Sequence, residues 1–292
     1  MSTTHGCEEY DFVIRSIPDD VKFKVSRTRL AAVSQVFDDM FACCDKGYVL
    51  NTAEDDDRIL DLHESAASLS ILLCLLNATL EPCNVVGPPS ESANLTPIQS
   101  IIPDAAIPIP ILFILLSLAD KYMLCNSVVD ILHLHLAAHT STYPLRVYGY
   151  AVERGLDDIA AQASKHLLHP PLSSYTSKDI AVIPTAQAYH KLVLLHSCRI
   201  DRLREVLMGE MIFPHGYGEC TKHSQYTTVI WEERKKTVAA EVLAGTDVTA
   251  EMAEVQRKFD SCETCSRACQ AALEMLEYKC AKIPRRVDQL LV

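Results

Sequence analysis

The stretch from Tyr10 to Phe41 constrains the fold most strongly, because its hydrophobic period changes once along the chain. Apolar and polar residues alternate on both sides of the turn sequence Pro18-Asp19, and a period of two predicts a β-hairpin. From Thr28 the apolar residues recur at helical steps, at Leu30, Val33, Val36, Phe37, Met40 and Phe41. Such a stripe has to be buried, and the hairpin is the nearest apolar surface. The sequence therefore predicts one continuous helix packed on a hairpin.

This unit resembles the opening of the BTB/POZ domain. In that family an Asp begins the first strand, F-x-V/A-H closes the second, and L-x-x-x-S-x-x-F-x-x-M/L-F follows. The matching residues are Asp11, Phe23, Val25, Ser26, Leu30, Ser34, Phe37, Met40 and Phe41. Ser26 stands where the family usually has His, and that His and the opening Asp often lie near the dimer interface. The resemblance marks Asp11 and Ser26 as the candidate dimer region, and the exchange at Ser26 puts the usual dimer surface in question. The alternative is an unrelated hairpin packed on a helix.

Two further segments extend the resemblance. Ile59 to Leu62 alternates as a short strand, and Ser65 is a plausible N-cap for an apolar helix from Ala66 to Thr79. Because nearly all faces of that helix are apolar, we expect it at the centre of the domain. Residues 82–110 hold seven of the fourteen prolines and are predicted to be a loop insertion.

The helical period returns from Ile111 to Tyr122, where Leu-x-x-Ala-Asp-Lys-Tyr is similar to the end of the fourth BTB helix. Met123 to Leu136 predicts a fifth helix, whose buried face is Val128, Val129, Leu132 and Leu136. The resemblance thus assigns residues 10–140 to a BTB/POZ domain, preceded by a tail at 1–9.

Residues 141–292 are predicted to be an all-helical extension. The pattern from Pro144 through Ala163 is similar to a BACK-like segment that follows the BTB domain in a large fungal (basidiomycete-type) class. The predicted helices are 143–153, 156–168, 177–208 with a break near Pro184, 226–244, 249–259 and 262–281. The predicted fold class is therefore α+β but mostly α: a helical cluster with a small β-sheet, followed by an all-α region.

Charge and composition exclude several classes of partner. The net charge of −11 disfavours nucleic acid and anionic membranes, because phosphate binding needs clustered Lys and Arg. The first residues lack the apolar core of a signal peptide, and the apolar runs are shorter than the ~20 residues of a spanning helix. Twelve cysteines are then expected to be reduced thiols, and the sequence predicts a cytoplasmic or nuclear protein.

The strongest chemical motif lies in the C-terminal third. Cys220-x-x-His223 lies in a glycine-rich loop, and Cys262-x-x-Cys265 lies at a predicted helix start. Four N and S ligands satisfy tetrahedral zinc, so these residues predict one structural zinc ion. Cys269, one turn after Cys265, is an alternative ligand, and Cys280 is a further thiol on the same helix. Ordinary buried thiols are the simpler use of such cysteines.

His135 and His139 have the spacing of the zinc ligands in H-E-x-x-H enzymes, but Leu136 stands where the general base would be. Solvated or interface histidines are therefore expected there. No phosphate-binding loop, dinucleotide fingerprint, nucleophile elbow or kinase signature is found in the sequence.

The resemblance implies a non-enzymatic protein-interaction module that associates with itself or docks a partner. One alternative is an adaptor that links a cullin-type ubiquitin ligase to its substrate. A third class, a metal-dependent enzyme using the C-terminal Cys and His residues, would need an open coordination position and a nearby acid.

Overall fold

The computed structural model describes residues 10–46, 59–80 and 106–290. The predicted tail at 1–9, the acidic connection at 47–58 and residues 82–105 of the predicted insertion lie outside the described residues. The chain divides after Ala138 into two compact units, called unit 1 and unit 2. It is mostly helical with a three-stranded sheet, which confirms the predicted mixed and mainly α class. Within the described ranges, none of the helices is both long and apolar enough to cross a bilayer.

Unit 1 contains a small sheet and a set of helices. The strands are β1 (Phe12–Ser16), β2 (Val21–Val25) and β3 (Ile59–Leu62), and the described helices are α1 (Arg27–Val33), α2 (Gln35–Lys46), α3 (Ala66–Leu80), α4 (Ile109–Lys121) and α5 (Asn126–Ala138). Strand β1 pairs antiparallel with β2 and parallel with β3, so the strand order is β2-β1-β3. Ile14, at the centre of the sheet, is fully buried. The predicted hairpin and third strand are both present.

The predicted continuous helix is wrong, because the chain breaks at Ser34. Ser34 has extended backbone angles and separates α1 from α2. Its hydroxyl donates to the carbonyl of Tyr122 at 2.5 Å and accepts from the N–H of Phe37 at 3.1 Å. Its backbone also forms an isolated bridge with Leu124. The periodicity could not reveal this break, because a single interrupted residue leaves the apolar stripe almost unchanged.

Three further expectations for unit 1 are corrected by the structure. Ser65 accepts from the N–H of Ser68 at 3.2 Å, as expected of an N-cap, but only the Leu69, Leu72 and Leu76 stripe of α3 is deeply buried. Among the described residues α3 therefore does not occupy the centre of the unit. Helix α4 begins two residues earlier than predicted, because a proline is tolerated in the first helical turn. Helix α5 begins later, because Met123 has a positive φ of 46°.

All the regular secondary structure described in unit 2 is helical. Its helices are α6 (Pro144–Glu153), α7 (Asp157–Lys165), α8 (Ser177–Ile180), α9 (Ala186–Gly209), α10 (Ser224–Glu241), α11 (Val248–Ala253) and α12 (Glu263–Ala281). Gly155, with φ of 68°, ends the α6 turn as predicted. Helices α7 and α11 are shorter than predicted. Trp231, Met252, Phe259 and Leu276 lie in the core shared by the C-terminal helices.

Arg199 on α9 joins the ends of two helices inside this core. Its side chain is buried and donates to the carbonyl oxygens of Ala244 (2.6 Å), Pro284 (3.2 Å) and Ile283 (3.4 Å). These acceptors lie just beyond the C-terminal ends of α10 and α12. A cation is favoured there, since the last carbonyls of a helix carry partial negative charge.

Replacing Ser34 by Ala is expected to destabilise the chain by about 1–2 kcal/mol, because a helix cap and a buried hydrogen bond are lost together. Urea unfolding of the full chain measures the change. Ser26→Ala is the matched control, since Ser26 precedes α1 but makes no cap hydrogen bond. Equal effects of the two substitutions would contradict the role given to Ser34.

Replacing Arg199 by Met is expected to cost about 2–4 kcal/mol, because several buried carbonyls lose their charged donor. Thermal unfolding followed by circular dichroism measures this. Arg202→Met is the control on the same helix, because Arg202 is exposed and pairs with Glu205 on the surface. A control that melts as early as the Arg199 variant would show that the helix tolerates no substitution, and would refute a specific role.

Candidate metal centre

Helices α10 and α12 begin beside one another. His223 is the N-cap residue of α10, and Cys262 is the N-cap residue of α12. The loop that contains Gly216 and Gly218, both with positive φ, leads into Cys220, which precedes His223 by three residues. Cys265 lies in the first turn of α12. The two Cys/His pairs are therefore presented by two adjacent helix starts.

The four predicted ligands come together. The ligating atoms of Cys220, His223, Cys262 and Cys265 all lie within 4.8 Å of one another. The Sγ of Cys220 is 3.6 Å from Nδ1 of His223 and 3.7 Å from Sγ of Cys262. Cys220 and Cys265 are buried, Cys262 is half-buried and His223 is exposed. The group is thus a Cys₃His cluster that can hold a metal ion.

Two of these separations match a tetrahedral site. With Zn–S of about 2.3 Å and Zn–N of about 2.0–2.1 Å, a tetrahedral angle places two sulfurs roughly 3.8 Å apart and a sulfur and a nitrogen roughly 3.6 Å apart. The observed S–S distance of 3.7 Å between Cys220 and Cys262 and the S–N distance of 3.6 Å between Cys220 and His223 agree with these values. A disulfide would require about 2.05 Å between the sulfurs. The cluster therefore has the spacing of metal ligands and not of a disulfide.

Backbone N–H groups at the two helix starts favour thiolate sulfur. The N–H groups of Lys222 and then His223 lower the pKa of Cys220, and the N–H of Cys265 lowers the pKa of Cys262. The N–H groups of Lys222 and His223 belong to the turn just before α10, whereas that of Cys265 lies in the first turn of α12. Metal binding requires thiolates, and a helix N-terminus stabilises them.

Cys265 has a different environment. Burial raises its pKa, and the hydroxyl of Thr227 donates to its sulfur at 3.3 Å. A buried thiol is deprotonated when it binds a metal, and the Thr227 hydroxyl would then stabilise the sulfur charge. The motif spacing did not identify Thr227. Its position one turn after His223 would identify it only once the start of α10 is known.

The other cysteines of α12 do not join the cluster. Cys269, considered as an alternative ligand, is fully buried in the core of unit 2, and burial raises its pKa to about 11. Cys280 is half-buried, and burial raises its pKa too. Both behave as core thiols. Of the pair Cys262 and Cys265, only Cys265 lies within α12, because Cys262 precedes the helix.

The two histidines with zinc-ligand spacing, one on α5 and one just after it, have other roles. His135 is buried, and its Nδ1 accepts from the N–H of Ile107 at 3.3 Å, so the expectation that it is solvated or at an interface is wrong. Its helical face is apolar, which carries it into the interior. His139 lies beside the ring of Tyr143, with centroids 5.9 Å apart.

The two residues marked by the dimer resemblance lie next to each other in unit 1. The carboxylate of Asp11 accepts from the N–H of Arg27 at 2.8 Å, so Asp11 caps the start of α1 from outside the helix. Ser26 directly precedes Arg27, and the Ser26 hydroxyl lies 3.1 Å from the hydroxyl of Thr28. Both residues have a local structural role that the sequence did not predict.

We expect purified, untagged protein to carry about one equivalent of zinc, measured by elemental mass spectrometry after growth with zinc. Cys265→Ala should remove the metal, because it deletes a ligand. Cys269→Ala is the matched control, since it removes an equally buried thiol one turn away and should retain the metal. Wild-type protein without zinc, or a Cys269 variant that loses it, would refute the ligand set.

A scan against models of protein families and a search of curated proteins found no match for this chain.

Proposed function

We propose that unit 1 is a BTB/POZ-type domain that binds protein, either a second copy of this chain or a partner, and that the chain is not an enzyme. One observation carries the proposal. Two distant segments that carry the resemblance pack directly on each other. Ser34 donates to the carbonyl of Tyr122 at 2.5 Å, and the ring of Phe37 stacks on that of Tyr122 with centroids 4.8 Å apart.

A third segment joins the same contact. Glu64, between β3 and α3, accepts from the hydroxyl of Tyr122 at 2.6 Å and from Lys121. Burial opposes ionisation of Glu64, but these two donors outweigh it and hold its pKa below the usual range. Lys121 and Tyr122 are the last two residues of the motif similar to the fourth BTB helix. These contacts support the proposal that the separate motif matches belong to one domain.

The surface of unit 1 offers candidate anchors for a protein partner. Ile17 and Val21 flank the hairpin turn and are 44% and 40% exposed, and Met123 is 61% exposed. Large apolar side chains on a surface contribute most of the free energy of many interfaces when a partner covers them. Ser26 in place of the family His favours a partner surface that differs from the usual dimer contact.

For unit 2, we propose that the Cys₃His cluster binds zinc in a structural role. Four protein ligands complete a tetrahedral shell, whereas a catalytic zinc keeps one position for water or substrate. The two pairs also connect the starts of α10 and α12, which are far apart in sequence. A closed site of this kind supports the non-enzymatic proposal, in contrast to a metal-dependent hydrolase.

Affinity purification with mass spectrometry tests the binding proposal. Deleting residues 1–140 is expected to abolish the specific partners, because the binding surface is assigned to unit 1. Retention of zinc by the shortened chain is the control that unit 2 is still folded. An unchanged partner set would refute the assignment. Among positive outcomes, a recovered cullin would identify the ligase adaptor, and a dimeric mass of pure protein in light scattering would identify self-association.

A further inference from the structure

A cleft of about 650 Å³ lies in unit 2, between α12 and the segment from Glu210 to Gly218. Its lining is mainly apolar and includes Met211, Ile212, Tyr217, Ala271 and Met275. Its volume lies in the range of sites that hold small molecules. Met211, Tyr217 and Met275 stand at its rim and are 49%, 78% and 46% exposed. Flexible methionine side chains can adapt to an apolar occupant.

The loop side of the cleft is attached firmly at its first residue. The carbonyl of Glu210 accepts from Lys235 Nζ at 2.8 Å and from Trp231 Nε1 at 3.3 Å. The buried Glu210 carboxylate pairs with Lys279 of α12 at 2.5 Å. This end of the segment is thus bonded to both α10 and α12.

The metal cluster attaches the other end. Gly218 lies two residues before Cys220, and an added Cβ at Gly218 would stand 4.0 Å from the Cβ of Ala268 on α12. Cys220 in turn meets Cys262 at the start of α12. Between the two attachments, His215 (φ 52°) and Gly216 (φ 77°) adopt left-handed backbone angles. Such angles are unfavourable for a residue other than glycine, so His215 would leave them readily in a free loop. A bound metal would therefore hold the loop against α12.

The charges around the cleft are already paired. Lys279 pairs with Glu210 at one end, and Arg267 pairs with Glu263 along the other. A charged ligand would have to displace Glu210 from Lys279, and it would gain only a solvent-screened contact with the exposed pair of Arg267 and Glu263. The cleft is thus matched to an uncharged molecule.

We propose that this cleft binds an uncharged, elongated apolar molecule of the long-chain alcohol class, and that the metal of the Cys₃His cluster forms the site by holding its loop wall. The second part of this inference rests on the zinc proposed above. The occupant lies along the alanines of α12, between Met211 and Met275. Its hydroxyl remains at the open rim, where it keeps its hydration.

Binding is measured on the zinc-loaded full chain with the neutral fluorescent dye Nile red. We expect saturable binding that decanol displaces. Decanoate and decylamine should displace the dye roughly tenfold less well, because burial of their charge is not compensated. Absence of saturable binding, or equal displacement by the charged molecules, would overturn the proposed ligand class.

A variant that fills the cleft tests its location. Ala271→Trp introduces a large side chain at an exposed lining position of α12, and should weaken dye binding about tenfold or more by occupying the space. Ala240→Trp is the matched control, because Ala240 is an exposed helical alanine outside the lining. Zinc content and melting temperature are measured for both variants. Equal binding by folded, zinc-loaded Ala271→Trp and wild type would reject this site.

Removal of the metal tests the coupling. The displaceable dye signal should disappear in chelator-treated protein and return when zinc is restored. If the zinc-free protein keeps the full displaceable signal, the loop does not depend on the metal and the coupling is rejected. If wild-type protein carries no zinc but binds dye in the Ala271-dependent manner, the zinc proposal fails while the ligand site stands.

Discussion

Helices α10 and α12 start at one shared point and end at another, and this constraint organises the C-terminal part of unit 2. Three sulfur ligands and a histidine lie at the two starts, where helix N–H groups carry partial positive charge. The guanidinium of Arg199 lies just beyond the two ends, where the carbonyls carry partial negative charge. A Zn²⁺ ion with three thiolates carries one net negative charge, so each end of the helix pair faces charge of the favourable sign.

Unit 1 depends on a different kind of link, a single hydroxyl that serves two purposes. Ser34 interrupts the first helical stripe and at the same time attaches it to the residues after α4. The stacked rings of Phe37 and Tyr122 exclude water from that hydrogen bond, which strengthens it. The sheet is attached as well, since Asp19 in the hairpin turn accepts from the N–H of Ala66 at the start of α3. Local motifs thus become one unit through a few polar contacts between distant segments.

The sequence predicted the strands, most helices and the members of the metal cluster, because each depends on local periodicity or spacing. Hydrophobic period two identified β1 and β2, and Pro144 identified the start of α6. The break at Ser34 and the burial of His135 could not be predicted, because both depend on partners that are distant in the chain. The roles of Thr227 and Arg199 also require knowledge of which helix ends meet. Spacing gives a ligand set, whereas its supporting hydrogen bonds appear only in three dimensions.

The unequal attachment of the segment from Glu210 to Cys220 has a consequence for its motion. Glu210 is held by its carbonyl and its carboxylate, and these bonds need no metal. Cys220 is held by the cluster, by its place in the core of unit 2 and by the Ser224 N–H that its carbonyl accepts. Ile212 and Phe213 also pack in the core of unit 2, so loss of the ion would loosen chiefly the part of the segment between Phe213 and Cys220. Amide hydrogen exchange would then become faster along the segment toward Cys220, as a local opening and not as global unfolding.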